Sequence, residues 1–347
     1  MTRVVSLGKT LLFWLTLFRL GATVRGVLPF LLGVVIAWSQ GYPIDWRILL
    51  LSSVAVICVM LMTFLVNEFF DYEVDIANKD YHLFSGGSRI LPMGLIRRRH
   101  AIIAAYILAA ITIGIGLWLY LGFHTGPLTI PLGAAAILIG YFYTASPVRL
   151  SYRGWGEVSI WFTCGWLATI TGYYLQVGQF NTVTTLVSLP GAFGIFLVIL
   201  INEIPDIKSD KLSGKNNLAV RLGIEKAGIL YITLLILCYV SIIVIVFFGV
   251  PVISAYLSII PLLLAVWIIC TIYKKGLAGR DVQESLSLRT MVFDHLITII
   301  YAVSFIVAGF SAGGRNISHL VMLGAVFIIV FGLEGLGIVS SRIALRE

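Results

Sequence analysis

The sequence predicts an all-α fold: a polytopic transmembrane bundle of nine or ten helices with loops capping its cytoplasmic end. Three observations lead there. Of 347 residues, 59% are hydrophobic and 12% charged, with a mean hydropathy of +1.01. A soluble domain carries about 25% charged residues, so this composition cannot supply a water-facing surface. The apolar residues gather into runs suited to a hydrocarbon core of about 30 Å, which a helix crosses in about 20 residues. The basic residues fall on alternate loops. Together these exclude soluble enzymes, secreted disulfide scaffolds and disordered chains, and the net charge of +8 does not read as nucleic-acid binding once its placement is seen. Cys58, Cys164, Cys238 and Cys270 each sit in an apolar run, without CxxC spacing or a neighbouring histidine pair, as small buried hydrophobes.

Residues 1–23 open with Arg3 and Lys9 before an apolar stretch. Arg19 and Arg25 interrupt it and no A-x-A site follows, so it reads as an uncleaved interfacial lead-in rather than a signal peptide. Candidate spans follow near 24–40, 48–67, 100–121, 127–145, 156–175, 184–202, 226–248, 252–273, 291–310 and 319–339. With this count, every lysine and arginine except Arg47 and Arg315 falls on one side. That side is cytoplasmic by the positive-inside rule and receives both termini. The chain thus reads as one integral domain of the cell (plasma) membrane over 1–347, with two pseudo-repeats (about 24–145 and 156–273) and C-terminal helices at 291–339.

The acidic residues follow another pattern. Asn67-Glu68-Phe69-Phe70-Asp71-Tyr72-Glu73-Val74-Asp75 ends the second span, and Asn202-Glu203-Ile204-Pro205-Asp206-Ile207-Lys208-Ser209-Asp210 ends the sixth. Both read NExxDxxxD, as an ancient duplication would leave them. At about 100° per residue, positions i, i+4 and i+8 drift by only about 40° per step, so each copy aligns one amide and two carboxylates on a helical face. Clustered carboxylates repel one another unless a cation is bound. Oxygen ligands without histidine or cysteine point to a hard cation; Mg²⁺ takes one or two carboxylates per ion and fills its remaining positions with water and phosphate oxygens. The expected metal ligands are Asn67, Asp71, Asp75, Asp206 and Asp210, with two or three Mg²⁺ bridging to a diphosphate. Ser85-Gly86-Gly87-Ser88-Arg89 and Ser213-Gly214-Lys215-Asn216-Asn217 follow the two copies. Their glycines let backbone N–H groups approach a phosphate, and Arg89 offers two parallel hydrogen bonds. GxxxxGK[ST] is absent, so nucleotide hydrolysis is not indicated.

With Tyr141-Phe142-Tyr143-Thr144-Ala145-Ser146-Pro147-Val148-Arg149-Leu150, the following Tyr152-Arg153-Gly154, and Lys215-Asn216-Asn217-Leu218-Ala219-Val220-Arg221-Leu222-Gly223, these motifs resemble the UbiA superfamily of intramembrane prenyltransferases over at least residues 19–230. The resemblance implies an all-helical enzyme that moves a polyprenyl group from its diphosphate to an acceptor, usually aromatic. It puts Asn67, Asp71 and Asp75 on the family's first motif and Asn202, Asp206 and Asp210 on its second, with Asp71, Asp75, Asp206 and Asp210 catalytic. Arg89, Lys215, Tyr143, Arg149, Arg153 and Asn202 are then expected at the substrate, with Arg19 and Arg25 placed to receive an acceptor carboxylate. Glu68 stands where many members have aspartate, and Pro205 lies inside the second motif.

SGGSRxLPxG with AVRLG is most similar to the branch that prenylates 1,4-dihydroxy-2-naphthoate, which implies a quinone-type aromatic acid such as that compound or 4-hydroxybenzoate. The alternative within the family is geranylgeranylglyceryl phosphate, a lipid-type acceptor. The partners implied are a polyprenyl diphosphate, the acceptor and membrane lipids, with no nucleic acid. A transporter is the alternative of another class, but its working charges belong near the membrane midplane in broken helices, where only Asp294 and Glu334 approach. The second loop, about 32 residues from 68 to 99, exceeds ordinary helix connections. It carries Glu73, Asp75, Asp80 and Arg89 among Tyr81, Leu83 and Phe84, a mixture that predicts a cap ordered by ligand.

Overall fold

The computed structural model describes residues 7–79, 81, 85–313 and 317–344; Arg3, Asp80, Leu83, Phe84, Arg315 and Arg346 lie outside the described residues. The helices are α1 (Leu7–Leu17), α2 (Val24–Ser39), α3 (Trp46–Phe70), α4 (Tyr72–Ala77), α5 (Arg98–Gly122), α6 (Thr129–Phe142), α7 (Gly156–Ile160) and α8 (Ala168–Val177). They continue with α9 (Thr182–Glu203), α10 (Ile207–Leu212), α11 (Leu218–Val246), α12 (Ile253–Leu257), α13 (Ile259–Lys275), α14 (Arg280–Ser311) and α15 (Ile317–Ala344). The described residues contain no strand.

All ten apolar segments of the sequence are helical, but not all are single rods. Six helices (α3, α5, α9, α11, α14 and α15) are each long and apolar enough to cross a membrane, and the pair α1 and α2, bent by 48°, makes a seventh if taken as one span. Segment 127–145 is the 14-residue α6. Segment 156–175 is divided by a π-helical stretch, Trp161–Leu167, and segment 252–273 is split into α12 and α13. Apolarity alone does not report such breaks, since the residues on either side are equally hydrophobic. With this much apolar helix, the chain is an integral membrane protein. The faces of α5, α11 and α13 carry exposed Trp118, Ile229 and Leu263, which lipid tails cover at no cost.

Helix α2 is the axis of the packing. It is buried along almost its whole length, from Val24 to Ser39, and touches α8, α14, α15 and α3. Lipid gives no hydrophobic drive for helices to associate, so close backbone approach has to hold them together. Here that approach uses paired glycines: a Cβ on Gly33 would strike the Thr169 carbonyl, and one on Gly172 would strike the Phe30 carbonyl. Gly165 meets Ala192 in the same way, drawing the π-helical stretch onto α9. Side-chain caps fix the entries of three long helices. Asp45 accepts from the Arg47 N–H, Asn181 from the Val183 N–H and Asn217 from the Val220 N–H. α3 and α9 are thus anchored at their N-terminal ends, and their far ends deliver the two acidic motifs to the same end of the bundle.

Candidate active site

Each acidic motif straddles a helix break. Asp71 (φ −87°, ψ 6°) separates α3 from α4, and Asp206 (φ −89°, ψ −1°) precedes α10, the second break falling at Pro205, which has no N–H to continue α9. Both α4 and α10 are 6-residue helices. The expected unbroken helical face is therefore kinked at its central aspartate. The i, i+4 relation survives the kink: Asn67 Nδ2 donates to Asp71 Oδ2 at 3.0 Å.

The two motifs line one cavity of about 520 Å³, with Asn67, Asp71, Asp75, Asn202, Asp206 and Asp210 at its polar end. Asp71, Asp75 and Asp210 are each less than 8% exposed. Lys215 reaches between the motifs, its ammonium 3.3 Å from Asp71 and 3.9 Å from Asp210. Tyr152 donates its hydroxyl to Asp71 at 2.7 Å, and Asn217 donates to Asp210 at 2.8 Å. Burial, countered in part by Lys215 and reinforced by Asp206 and Asp71, pushes the Asp210 carboxyl up to about 6. Burial, then the charges of Glu68 and Asp71, hold Asp75 well above the carboxylate range, and burial raises Asp206 as well. Attraction to Asp71 and Asp210 outweighs burial at Lys215 and raises it, so it stays an ammonium. Lys215 thus sits among a surplus of buried acid.

The loop after α4 serves these acids rather than standing open to solvent. Gly86 N–H donates to Asp206 at 3.2 Å, Asn78 Nδ2 to Asp206 at 2.8 Å, and Ser88 N–H and hydroxyl to Glu68 at 2.7 and 2.8 Å. The backbone donors expected at a phosphate are thus engaged by carboxylates. Gly87, at φ +73°, lies so close to the Asp75 carboxylate that a Cβ there would collide with it. Arg89 lines the cavity, donates to the Asp75 carbonyl and stacks 4.1 Å over the Tyr81 ring, while its Nε stays unpaired.

The remaining expected residues divide. Tyr143, Asn202 and Arg19 line the cavity, but Arg19 is ion-paired with Glu68, which occupies it. Asn202 keeps a buried Oδ1 without a hydrogen-bond partner. Arg149 does not line the cavity; its guanidinium lies 3.5 Å over the Tyr152 ring, so it reaches Asp71 only through that tyrosine. Arg153 is exposed outside the cavity and donates to the Pro147 carbonyl. Sequence spacing missed Glu157, which accepts from the Leu218 N–H at 2.6 Å at the entry of α11, and Glu203, whose Oε2 is buried in the cavity wall without a partner. Glu203 sits at the second position of the second motif, which was the available signal.

Among the described residues no three His, Cys, Asp or Glu side chains converge closely enough to hold a metal ion by themselves. The donor set nonetheless suits a hard cation. It offers carboxylate and amide oxygens on opposing motifs, an unpartnered Asn202 oxygen, excess buried acid and an ammonium already drawn between the motifs. A cation taking one or two carboxylates and completing its shell from a ligand fits it better than an all-protein cage.

An intramembrane helical bundle with a one-ended acidic cavity defines the class. Residues 26–284 match the UbiA prenyltransferase family, and the chain belongs to it. It is 26% identical over 195 residues to the 1,4-dihydroxy-2-naphthoate octaprenyltransferase of Bacillus subtilis (56% of this chain, 61% of that one). It is 30% identical over 227 residues to the enzyme of that name from Mycobacterium leprae (64% and 74%). The first of these matches spans about three fifths of the relative's length. Among solved structures, a UbiA homolog from Archaeoglobus fulgidus bound to GPP and Mg²⁺ superposes with a TM-score of 0.56 at 18% identity, over 83% of this chain and 99% of that one. A digeranylgeranylglyceryl phosphate synthase superposes at 0.61 and 18%, over 86% and 99%. These two likenesses bear on the fold.

Proposed function

We propose that this protein is a Mg²⁺-dependent prenyltransferase that moves a polyprenyl group from its diphosphate to a quinone-precursor aromatic acid, 1,4-dihydroxy-2-naphthoate in the first instance, at the cytoplasmic face of the plasma membrane. The observation that carries the reading is that both NExxDxxxD copies line one cavity whose walls turn apolar away from them. Asn67, Asp71, Asp75, Asn202, Asp206 and Asp210 present the oxygens that would hold the metal. Bound there, Mg²⁺ would supply charge stabilisation for the departing diphosphate. Lys215 and Arg89 add fixed positive charge to the same end, pre-set before the reaction and so without reorganisation cost. The allylic C–O bond breaks, diphosphate leaves with the electron pair, and a ring carbon of the acceptor supplies the pair for the new C–C bond; that carbon then loses a proton, or CO2 where it bears the carboxylate, and the pair of the broken bond returns to the ring. Val56, Leu119, Leu132 and Leu167 keep water from the allylic cation and give the tail an apolar bed. The names of the relatives support the acceptor class.

The test uses purified protein in detergent with radiolabelled prenyl diphosphate and 1,4-dihydroxy-2-naphthoate. Prenylated naphthoquinol forms with Mg²⁺ and not with EDTA. Mg²⁺-dependent diphosphate release that no aromatic acid accelerates would retain the donor and overturn the acceptor; no release at all would overturn both.

A further inference from the structure

The cavity does not end inside the protein. From Asn67 it follows α3 past Phe64, Met60 and Val56 to Ser52, a path of about 22 Å at 1.5 Å per residue. Among the described residues that line it, the exposed ones are Ile113 and Leu117 of α5 and Ile130 and Ala134 of α6. Ile113 is 51% exposed, Leu117 44% and Ile130 37%, although each faces the cavity. They mark an opening between α5 and α6. Its depth follows from helix geometry, because α5 starts at the acidic end, where Arg98 donates to the Phe69 carbonyl. Ile113 lies about 22 Å further along the helix. In a hydrocarbon core of about 30 Å that is past the middle, among the lipid tails of the leaflet away from the acids.

The opposite flank is shut. Helix α15, which lies beyond the family match of residues 26–284, supplies Gly337, Ile338 and Ser341 to the cavity wall, and none of the three is exposed. Gly337 sits so close to Gly21 that a Cβ there would strike the Gly21 backbone nitrogen. We propose that the donor's polyprenyl tail leaves the cavity between α5 and α6 and continues in lipid, so that the cavity sets no upper limit on tail length. This rests on the prenyl-donor reading above. With the diphosphate at the acids, the tail runs along the apolar wall toward the opening, and any part too long for the cavity passes among lipid tails as apolar as itself. A closed cavity would instead measure the tail. The short α6, 14 residues from Thr129 to Phe142, forms one side of this exit with its first turns.

Binding of geranyl and octaprenyl thiolodiphosphates, with Mg²⁺, to the full chain in lipid nanodiscs tests this without turnover. Gly116 and Gly133 line the cavity beside the opening, and a Cβ on either meets nothing within 4 Å, so Gly116→Phe and Gly133→Phe add bulk in free space. The wild type is expected to bind the octaprenyl analogue at least as tightly as the geranyl one. Each variant should lower the ratio of octaprenyl to geranyl affinity by at least about tenfold. Gly114→Phe, on the same helix but off the cavity, should keep the wild-type ratio, and retained geranyl binding shows that a variant is folded. Octaprenyl binding more than about tenfold weaker than geranyl in the wild type would mean a closed cavity and overturn the proposal. Wild-type ratios in both plugged variants would overturn the exit and leave the donor reading standing. A ratio lowered by Ile338→Phe and not by Gly116→Phe would move the exit to the α15 flank, against the proposal. If the wild type binds neither analogue, the donor reading fails and the exit with it.

Discussion

Asp71 and Asp206 are equivalent in the sequence and unequal in the structure. Among the described residues Asp206 accepts from neutral donors, Asn78 and Gly86 among them, whereas Asp71 is the nearer of the two carboxylates on the buried Lys215. Asp71→Asn and Asp206→Asn should each lower turnover more than tenfold, about 1.4 kcal/mol of barrier. Only Asp71→Asn should also lose stability, by about 2 kcal/mol, because it removes a charged partner from Lys215. Parallel assays of turnover and thermal unfolding separate these effects; wild-type turnover in either variant would remove that aspartate from the site. Asp210 makes a second prediction. Its folded value of about 6 lies above the usual carboxylate range, so between about 4 and 6 the folded protein holds a proton that the unfolded chain has lost. Stability from this group is highest below that window and falls as pH rises through it; Asp75 and Asp206 shift in the same direction, and Lys215 stays charged throughout. In EDTA, the drop in melting temperature from pH 4.5 to pH 7 should be smaller in Asp210→Asn than in wild type. The acids were legible in the sequence because spacing alone marks them. Arg149 and Arg153 were misplaced because a basic residue near a motif has the same spacing whether it faces the cavity or a neighbouring carbonyl.

At the scale of helices, hydropathy located every apolar segment but not its continuity. The π-helical turn at Trp161–Leu167 and the split between α12 and α13 leave hydrophobic content unchanged, and the non-helical Gly223 (φ 72°) lies within α11 with helix on both sides. Close contact was equally hidden, because a glycine in a membrane helix looks the same facing lipid or a partner backbone. Gly172 and Gly324 separate the cases. A methyl on Gly172 meets the Phe30 carbonyl, a backbone atom that cannot swing away, whereas Gly324 in α15 has nothing within 4 Å. Gly172→Ala should destabilise by about 1–3 kcal/mol. Gly324→Ala should be neutral or slightly stabilising, since alanine is the better helix former. Thermal unfolding in detergent checks both, and equal melting temperatures would mean that the α2–α8 crossing tolerates a wider gap than its geometry implies.

Taken whole, the molecule is closed at its acidic end by side chains that tie distant segments together. The loop between α4 and α5 was expected to form a cap, and the residues that hold it are Glu68, Asp75 and Asp206. Its Ser88 binds Glu68, its Gly86 binds Asp206, its Arg89 binds the Asp75 carbonyl, and Arg280 at the start of α14 donates to the Tyr81 carbonyl at 2.8 Å. Residues 85–89 are thus fastened by the protein's own carboxylates and carbonyls. Glu68 is the knot: fully buried, it joins α3 to Arg19 beyond α1 and to the loop at once. Glu68→Ala would strand a partly buried arginine and free the Ser88 N–H, and breaking one side of a buried pair costs about 3–5 kcal/mol. That cost should appear as local opening before global unfolding, because the α11 to α13 helices share no bond with Glu68. Hydrogen exchange on Glu68→Ala should therefore show at least about tenfold faster exchange at Gly86 and Ser88, with α11 and α13 unchanged. Exchange at those two amides as slow as in wild type would show that the Asp206 and Asp75 contacts hold the cap without Glu68.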